Sequence, residues 1–427
     1  MNKNAPAWAF LKTEHYKKGD KEYEVPLSIA QNYLSIFQHD PHFDSVRFNV
    51  MRGCPEVLET HKRRQWTDAD DAEARTYIES LYGLSNKSKS EDAFRVFLRE
   101  REYHPVRERL DSITWDGSKH IDTFFSKWMS ADNTPYTQEC ARLFFAGGVA
   151  RVMEPGCKFD CVIVLIGAQG GGKSTICRWL ALEDDFYNSL KTISGVRGYE
   201  GIAGKWVIEM EELLAVAAND KPGQRMEEAA KAFLSTQSDF YRKPYDHRPL
   251  DNPRHCVFLG TTNRDTFLTD RTGNRRWYPL RCNSDAAFLY QHQNEVKADI
   301  EQCWAEMLTA YREQSDYSIP TPRVSLLGEI KAKQEDAEVE DPRVGMIEEY
   351  LRGKERVCII QIWNECLHQN YYGKIPVPNQ SDRLELGEIL THKLGWKRGT
   401  VGRFGNYGSQ KAFFPPAGSE KTDVLPF

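Results

Sequence analysis

The 427-residue sequence has no uninterrupted apolar run of the roughly 18 residues that a transmembrane helix needs. Its N-terminus lacks the long apolar stretch of a secretory signal. The ten cysteines include no CxxC pair, and Cys157 and Cys161, the closest two, have no second Cys or His pair to complete a zinc site. We therefore expect a cytoplasmic protein with reduced cysteines and no membrane partner.

The sequence also lacks the strongly basic balance of proteins that coat nucleic acids. Its 57 Lys and Arg residues face 62 Asp and Glu residues, which gives a formal net charge of −5 at pH 7. Any contact with a nucleic acid must therefore use local basic patches. The 40% apolar and 28% charged residues are typical of a folded globular chain, and this length favours two or three domains.

Changes in the hydrophobic pattern predict an α/β protein with four regions. The first region shows apolar residues at helical spacing and is predicted to be mostly helical. The second alternates short apolar runs with helical patterns, which predicts a core built on a parallel sheet. An acidic helical linker and a winged-helix-like domain would follow. The predicted regions are residues 1–148, 149–315, 316–342 and 343–427.

The segment GAQGGGKS at 167–174 matches the pattern G-x-x-x-x-G-K-[ST] between a predicted strand and a helix-like segment. Its glycines let backbone N–H groups point at phosphate oxygens, next to the positive end of a helix dipole. Lys173 is expected to reach the β- and γ-phosphates of ATP, and the Ser174 hydroxyl to bind Mg²⁺. The alternative is a glycine-rich turn that matches by chance. The predicted nucleotide-binding residues are Gly167, Gln169, Gly170, Gly171, Gly172, Lys173, Ser174 and Thr175.

Hydrolysis of ATP also requires a carboxylate beside the metal ion and the attacking water. Glu209 lies near the end of the apolar run 205–210 and is predicted to bind the metal at the carboxyl edge of the sheet. Because this strand is expected to end near Met210, alternation does not decide between Glu212, the favoured water-activating residue, and Glu211. The alternative for Glu212 is a solvated acidic helix start.

Three further residues are candidates for contact with the γ-phosphate. Asn263 follows the next apolar run, and its amide could bridge the γ-phosphate and the water because it both donates and accepts. A turn-forming Asn would give the same pattern. Of Arg275 and Arg276, one is expected to pair locally while the other projects and neutralises charge in the transition state. Exposed arginines on a strand edge are the alternative.

Two basic segments are candidates for contact with DNA. Residues 240–254 are predicted to form a projecting hairpin or loop, and residues 395–415 a basic ribbon after a helix, as in winged-helix domains. Cations beside aromatic rings suit phosphates and stacked bases, although a solvated hairpin or a protein-docking wing would fit as well. The predicted DNA-binding residues are Arg242, Lys243, Tyr245, His247, Arg248, Lys397, Arg398, Arg403 and Lys411.

Taken in order, these motifs resemble the virulence-associated protein E family, which is related to the superfamily 3 helicases of phages and mobile elements. The resemblance covers about residues 100–282 and rests on the segments YHPVRERLDSITWDG, GAQGGGKS, EMEEL, RKPY, GTTN and DRTGNRRWYP. It implies a P-loop NTPase core of the AAA+ type. Such proteins assemble as rings, often hexamers, and translocate on single-stranded DNA during replication in a bacterial host cell.

The resemblance also implies a role for each candidate residue. Lys173 and Ser174 would form the Walker A pair, and Glu209 the Walker B acid together with Glu212 or Glu211. Asn263 would act as sensor 1. The finger that acts in trans would be Arg275 or Arg276, and Lys243 with its neighbours would line the pore.

Family members often carry a fused primase, but residues 1–148 show no acidic metal cluster or Cys/His set, so a separate primase is an expected partner. The main prediction is a ring-forming helicase that uses ATP and Mg²⁺ on single-stranded DNA, or on a forked or origin duplex. An alternative is an oligomeric DNA-binding ATPase switch, an initiator or defence sensor, that does not unwind DNA. A small-molecule P-loop kinase agrees less well with the chain length, with Asn263 and with the paired arginines.

Overall fold

The computed structural model describes residues 3–60, 62–191, 193, 195–211, 226–241, 250–268, 274–338, 341–368 and 377–416. Internal contacts divide the chain into two units, Met1–Glu338 and Val339–Phe427. Across the described ranges, no helix combines the length and the apolar character needed to cross a membrane. All ten cysteines belong to these ranges, and none of them forms a disulfide.

The first unit alternates strands and helices along the chain. Its strands are β1 (Thr13–Lys18), β2 (Lys21–Pro26), β3 (Val46–Asn49), β4 (Cys54–Glu59), β5 (Lys62–Gln65), β6 (Glu102–Tyr103), β7 (Val162–Ile166), β8 (Tyr187–Leu190), β9 (Val207–Glu211), β10 (Ser238–Tyr241), β11 (Leu250–Pro253), β12 (Val257–Thr262) and β13 (Trp277–Arg281). Its helices are α1 (Ala30–His39), α2 (Asp68–Tyr82), α3 (Lys87–Glu100), α4 (Pro105–Asp111), α5 (Phe124–Met129), α6 (Pro135–Met153), α7 (Lys173–Leu180), α8 (Gly195–Ile202), α9 (Met226–Ser235), α10 (Ala286–Gln291), α11 (Gln293–Arg312) and α12 (Leu327–Asp336).

The N-terminal part contains more β-structure than the sequence predicts. The predicted helices are present as α1, α2 and α3, but six strands accompany them. β1 and β2 form an antiparallel ribbon, and the other four form a mixed sheet in the order β5-β4-β3-β6. These strands have two to six residues and are rich in charged residues, as in KRRQ of β5. Such short, polar strands give little alternation of apolar and polar residues, so the sequence pattern does not reveal them.

The central sheet has five parallel strands in the order β13-β7-β12-β9-β8. Three of these strands, β7, β9 and β12, correspond to the apolar runs in the sequence. All residues of β7 and β12 are buried, as are the first four of β9. Both faces of the sheet are covered, which is why the strands are apolar along their whole length and do not alternate.

Helices pack on both faces of this sheet. Ile163 and Leu165 of β7 belong to a core that includes residues of α6, α7 and α11, whereas Val162 and Val164 face a second core with residues of α9. Nearly every residue of α6 is buried, including Arg142 and Glu139, which form an ion pair at 2.6 Å within the helix. The site described below lies at the carboxyl edge of this sheet.

The second unit is small and has its own hydrophobic core. It contains the helices α13 (Pro342–Leu351), α14 (Ile359–Ile362) and α15 (Gln380–Glu388) and the strands β14 (Lys397–Arg403) and β15 (Ser409–Phe414). The two strands pair antiparallel and form a ribbon. The core of the unit includes Ile347, Leu386, Trp396 and Phe413, so the ribbon is attached to the helices through the apolar side chains of one face.

Candidate active site

The segment 167–174 connects the end of β7 to the start of α7. Gly170 and Gly172 have φ angles of 82° and 78°, which side chains with a Cβ rarely adopt. At Gly167 the restriction is space, since an added Cβ would lie 2.4 Å from the carbonyl oxygen of Cys282. Backbone conformation or space thus requires glycine at three positions of the segment, where the chain turns without side chains.

The variant Gly167→Ala should bind ADP at least 10-fold more weakly and should lose roughly 1–3 kcal/mol of stability, as overpacked positions do. The added methyl group meets a backbone oxygen of Cys282, which cannot move aside without a shift of the chain after β13. Equilibrium titration with ADP and urea denaturation would measure both effects. Gly345→Ala in α13 is the control, because open space surrounds Gly345 and Ala favours a helix by ~1 kcal/mol. Equal ADP affinity for Gly167→Ala and wild type would contradict the expectation.

Lys173 is the first residue of α7, and its side chain folds back over the glycine-rich segment. Its Nζ donates hydrogen bonds of 2.8 Å to the carbonyl oxygens of both Gly167 and Ala168. Burial lowers the pKa of Lys173 below its ordinary value, an effect that the nearby Cys282, Cys177 and Glu209 oppose. The ammonium group is therefore partly withdrawn from water. At such a partly buried position its attraction to an anion is stronger than at an exposed surface.

Glu209 lies on β9 and meets the start of α7. Its side chain is fully buried, and its Oε1 accepts a hydrogen bond of 2.6 Å from the hydroxyl of Ser174. The hydroxyl of Thr261 on β12 donates to the same oxygen at 2.8 Å, and the hydroxyl of Tyr187 on β8 donates to Oε2. Throughout the described part of the chain no Lys or Arg forms an ion pair with Glu209. Hydroxyl groups thus replace water around this carboxylate.

A hydroxyl and a carboxylate that meet beside a turn of backbone N–H groups are suitable ligands for Mg²⁺. This ion takes oxygen ligands and is commonly held by one or two protein groups together with substrate phosphates. In the ranges that the structure describes, no group of three or more His, Cys, Asp or Glu residues is placed to hold a metal ion. The pair Ser174 and Glu209 fits a metal ion that is shared with a phosphate ligand.

A cavity of about 380 Å³ lies next to these groups. Its wall includes residues 169–175, from the glycine-rich segment and the start of α7. The other lining residues come from the ends of β9 and β12 and from the start of α10: Glu211, Thr261, Thr262, Asn263 and Ala286. The structure thus brings the predicted nucleotide-binding residues Gln169 to Thr175 together with Asn263 and Glu211. The cavity is of the size that small-molecule ligands occupy in proteins.

The strand β9 extends one residue beyond the expected end near Met210. It continues through Glu211, which pairs with Thr261 of β12. Because side chains alternate along a strand, Glu209 and Glu211 lie on the same face, and Glu211 is the one that lines the cavity. Glu212 lies outside the described residues.

Arg275 and Arg276 differ in their surroundings. The Arg276 side chain is 13% exposed, and its guanidinium lies 3.1 Å from the Asp160 carboxylate and also donates to the hydroxyl of Ser235. The Arg275 side chain is 71% exposed and lies 3.9 Å from Asp160 at its nearest. Arg276 therefore pairs locally and Arg275 projects, and neither lines the cavity beside Lys173.

The two basic segments are described to different extents. β10 pairs antiparallel with β11, which is the base of a hairpin. The residues predicted to contact DNA between these two strands in the sequence, Arg242, Lys243, Tyr245, His247 and Arg248, lie outside the described residues. In the ribbon of β14 and β15, the four predicted cations are all exposed: Lys397, Arg398, Arg403 and Lys411.

Sequence reasoning missed two residues that contact Glu209. Thr261 lies in the motif GTTN, where a polar residue at the end of a buried strand was a usable signal. Tyr187 lies on the edge strand β8, within the segment FYNSL, which carries no motif. Its contact depends on the order of strands in the sheet, and the sequence alone does not give that order.

The model of a domain family described as the virulence-associated protein E-like domain matches residues 110–338, more than half of the chain. A search among curated proteins finds no match. Two apo structures of the C-terminal region of NrS-1 align over 87% of this chain, at 12% and 10% identity, and cover 95% and 96% of those chains, each with a TM-score of 0.45. A crystal structure of JCV helicase with a bound small molecule aligns over 65% of this chain and 84% of its own, at 11% identity and a TM-score of 0.23. Scores of this size indicate a distant likeness.

Proposed function

Because this chain belongs to the virulence-associated protein E-like family, we propose that it is an ATP-dependent DNA helicase of phage or mobile-element replication. It would form a ring, often hexameric in related proteins, in the cytoplasm of a bacterial host. It would translocate on single-stranded DNA and hydrolyse ATP at the interfaces between subunits. The proposed domains are residues 1–148, 149–315, 316–342 and 343–427, with a P-loop ATPase core of the AAA+ type in the second.

The observation that carries this proposal is the hydrogen bond of 2.6 Å between Ser174 and Glu209. It joins Ser174 of the glycine-rich segment to Glu209 of the acidic strand β9, two residues that are 35 positions apart in the sequence. A glycine-rich turn that matched by chance would have no reason to meet a buried carboxylate. The contact supports an interpretation of Lys173 and Ser174 as a Walker A pair and of Glu209 as the Walker B acid.

The residues around the cavity suggest how the reaction would proceed. Lys173 would turn from the carbonyl oxygens of Gly167 and Ala168 to the β- and γ-phosphates, and Ser174 and Glu209 would hold Mg²⁺. When bound, Mg²⁺ would neutralise negative charge on the phosphate oxygens. Glu212, or Glu211, which lines the cavity, would activate the water.

Two further contacts belong to the proposal. Asn263 lines the cavity and would orient the γ-phosphate and the water through its amide. Arg275, which is exposed, would reach the nucleotide of the next subunit, while Arg276 stays bound to Asp160.

The proposed DNA contacts lie in two places. The exposed cations of the β14–β15 ribbon support a winged-helix-like domain that binds DNA phosphates. The hairpin whose base is β10 and β11 would line the pore through Lys243 and its neighbours. A separate primase is proposed as a partner.

A strand-separation assay tests this function directly. The purified chain is mixed with a forked DNA duplex, ATP and Mg²⁺, and the release of one labelled strand is measured together with phosphate. We expect strand release that requires both ATP and Mg²⁺, and ATP turnover that rises when single-stranded DNA is added. Turnover and oligomer formation on DNA without strand release would favour the ATPase switch, an initiator or defence sensor. No nucleotide turnover under any of these conditions would contradict both.

A further inference from the structure

The carboxylate of Glu209 is held from both sides by neighbouring strands. β9 lies between β12 and β8 in the sheet. From β12, the hydroxyl of Thr261 donates to Oε1 at 2.8 Å, and from the edge strand β8 the hydroxyl of Tyr187 donates to Oε2. The two oxygens of one buried carboxylate thus have separate donors on separate strands.

This arrangement fixes the plane of the carboxylate. The last torsion of a Glu side chain has broad, shallow minima, so neighbouring groups and not the chain itself decide its value. Rotation of the carboxylate would break the hydrogen bonds from Tyr187 and Thr261 together. Oε1 therefore stays directed at Ser174, which lies 2.6 Å away, and Oε2 stays directed at the edge strand.

Tyr187 is well suited to remain a donor. Its hydroxyl lies against Oε2 of Glu209 and donates to it, and an ordinary phenol keeps its proton near neutral pH. A neutral phenol also does not compete with Mg²⁺ for the carboxylate, as the positive charge of a Lys or Arg at this position would.

We propose that Tyr187 is a positioning residue that holds Oε2 of Glu209 so that Oε1 faces Ser174 and the Mg²⁺ that these two residues would share. The inference rests on the proposed ATPase function and assigns a role to the edge strand β8. Tyr187 would not touch the nucleotide. Its hydroxyl would increase the gain in nucleotide affinity that Mg²⁺ provides and would not change the affinity for nucleotide without Mg²⁺.

The test compares ADP affinity with and without Mg²⁺ for wild type and Tyr187→Phe, by equilibrium titration with fluorescently labelled ADP. Without Mg²⁺ we expect equal affinities. With Mg²⁺ the gain in affinity should be about 10-fold smaller for Tyr187→Phe, the usual effect of removing a hydrogen bond to a charged group. ATP turnover should need a correspondingly higher Mg²⁺ concentration to reach half its maximum.

Two further variants make the result specific. Tyr311→Phe removes a phenol that also donates to a carboxylate, that of Glu154, and should leave the Mg²⁺ effect unchanged. Thr261→Val removes the donor to the opposite oxygen and should reduce the Mg²⁺ effect as Tyr187→Phe does. Thermal melting of each variant separates a loss of fold from a loss of orientation. If Tyr187→Phe does not fold, an unchanged Mg²⁺ effect in Thr261→Val would overturn the inference that donors on both strands hold the carboxylate.

The outcomes distinguish this inference from the function on which it rests. A folded Tyr187→Phe chain with the Mg²⁺ dependence of wild type overturns the positioning role and leaves the ATPase intact. The same holds if Thr261→Val loses the Mg²⁺ effect while Tyr187→Phe keeps it. If wild type itself binds no ADP, the proposed function is wrong and the inference is overturned with it.

Discussion

Arg275→Ala chains are expected to hydrolyse ATP about 1,000-fold more slowly than wild type, the lower end of the effect of losing an arginine finger. The Arg275 side chain is 71% exposed and lies 3.9 Å from the Asp160 carboxylate. It is therefore available to a second subunit, where it would balance charge that develops on the γ-phosphate. Steady-state phosphate release, measured at a chain concentration at which wild type is oligomeric, gives the comparison.

Mixing variants tests whether Arg275 acts between subunits. Lys173→Ala chains keep Arg275, and Arg275→Ala chains keep Lys173, so a mixed ring contains interfaces with both residues. Turnover should return when the two inactive chains are combined. Arg276→Ala chains are the matched control, because Arg276 is bound to Asp160 and Ser235 of its own chain. Adding Lys173→Ala chains to Arg276→Ala chains should therefore not raise ATP turnover. Failure of the first mixture to recover, although both variants assemble, would place Arg275 outside the catalytic interface.

Replacing Glu209 with Gln should lower ATP turnover roughly 100- to 1,000-fold, as loss of one fixed electrostatic contact to a reacting centre does. The substitution preserves size and removes the negative charge that would hold Mg²⁺. It also replaces with an amide NH₂ one of the two oxygens to which the hydroxyl groups of Ser174, Thr261 and Tyr187 now donate. ADP affinity without Mg²⁺ should stay near the wild-type value, and the effect of Mg²⁺ on that affinity should largely disappear.

Glu306→Gln is the matched control for Glu209→Gln. Glu306 is also buried, and it accepts hydrogen bonds from the backbone N–H groups of His120 and Ile121. An amide oxygen can accept both of these bonds, so turnover should be unchanged. If Glu209→Gln turned over ATP as fast as Glu306→Gln, then Glu209 would not be the metal-binding acid.

Family membership and the core of the site follow from local sequence patterns. The ordered motifs indicated the family that the domain match over residues 110–338 confirms. The run 161–167 predicted β7, and the glycine-rich segment predicted a tight turn before α7, because each depends on residues adjacent in the chain. The hairpin base and the basic ribbon were predicted for the same reason, since glycine, proline and charge mark turns and exposed strands locally.

The tertiary structure decided what depends on partners distant in sequence. Arg275 and Arg276 have the same chemistry, and they are distinguished by the positions of Asp160 and Ser235, which are distant in sequence. Strand β9 extends to Glu211 because β12 pairs with it there. The six N-terminal strands form because their backbones pair with one another, although their side chains give no apolar alternation.

The glycine-rich segment and the acidic strand could thus be found from sequence, whereas the hydroxyl groups that orient the Glu209 carboxylate could not. A turn or a buried strand is determined by the conformational preferences of a few consecutive residues. The contact between Tyr187 and Glu209 is determined by strand order, which emerges only when helices cover both faces of the sheet and its apolar residues leave water.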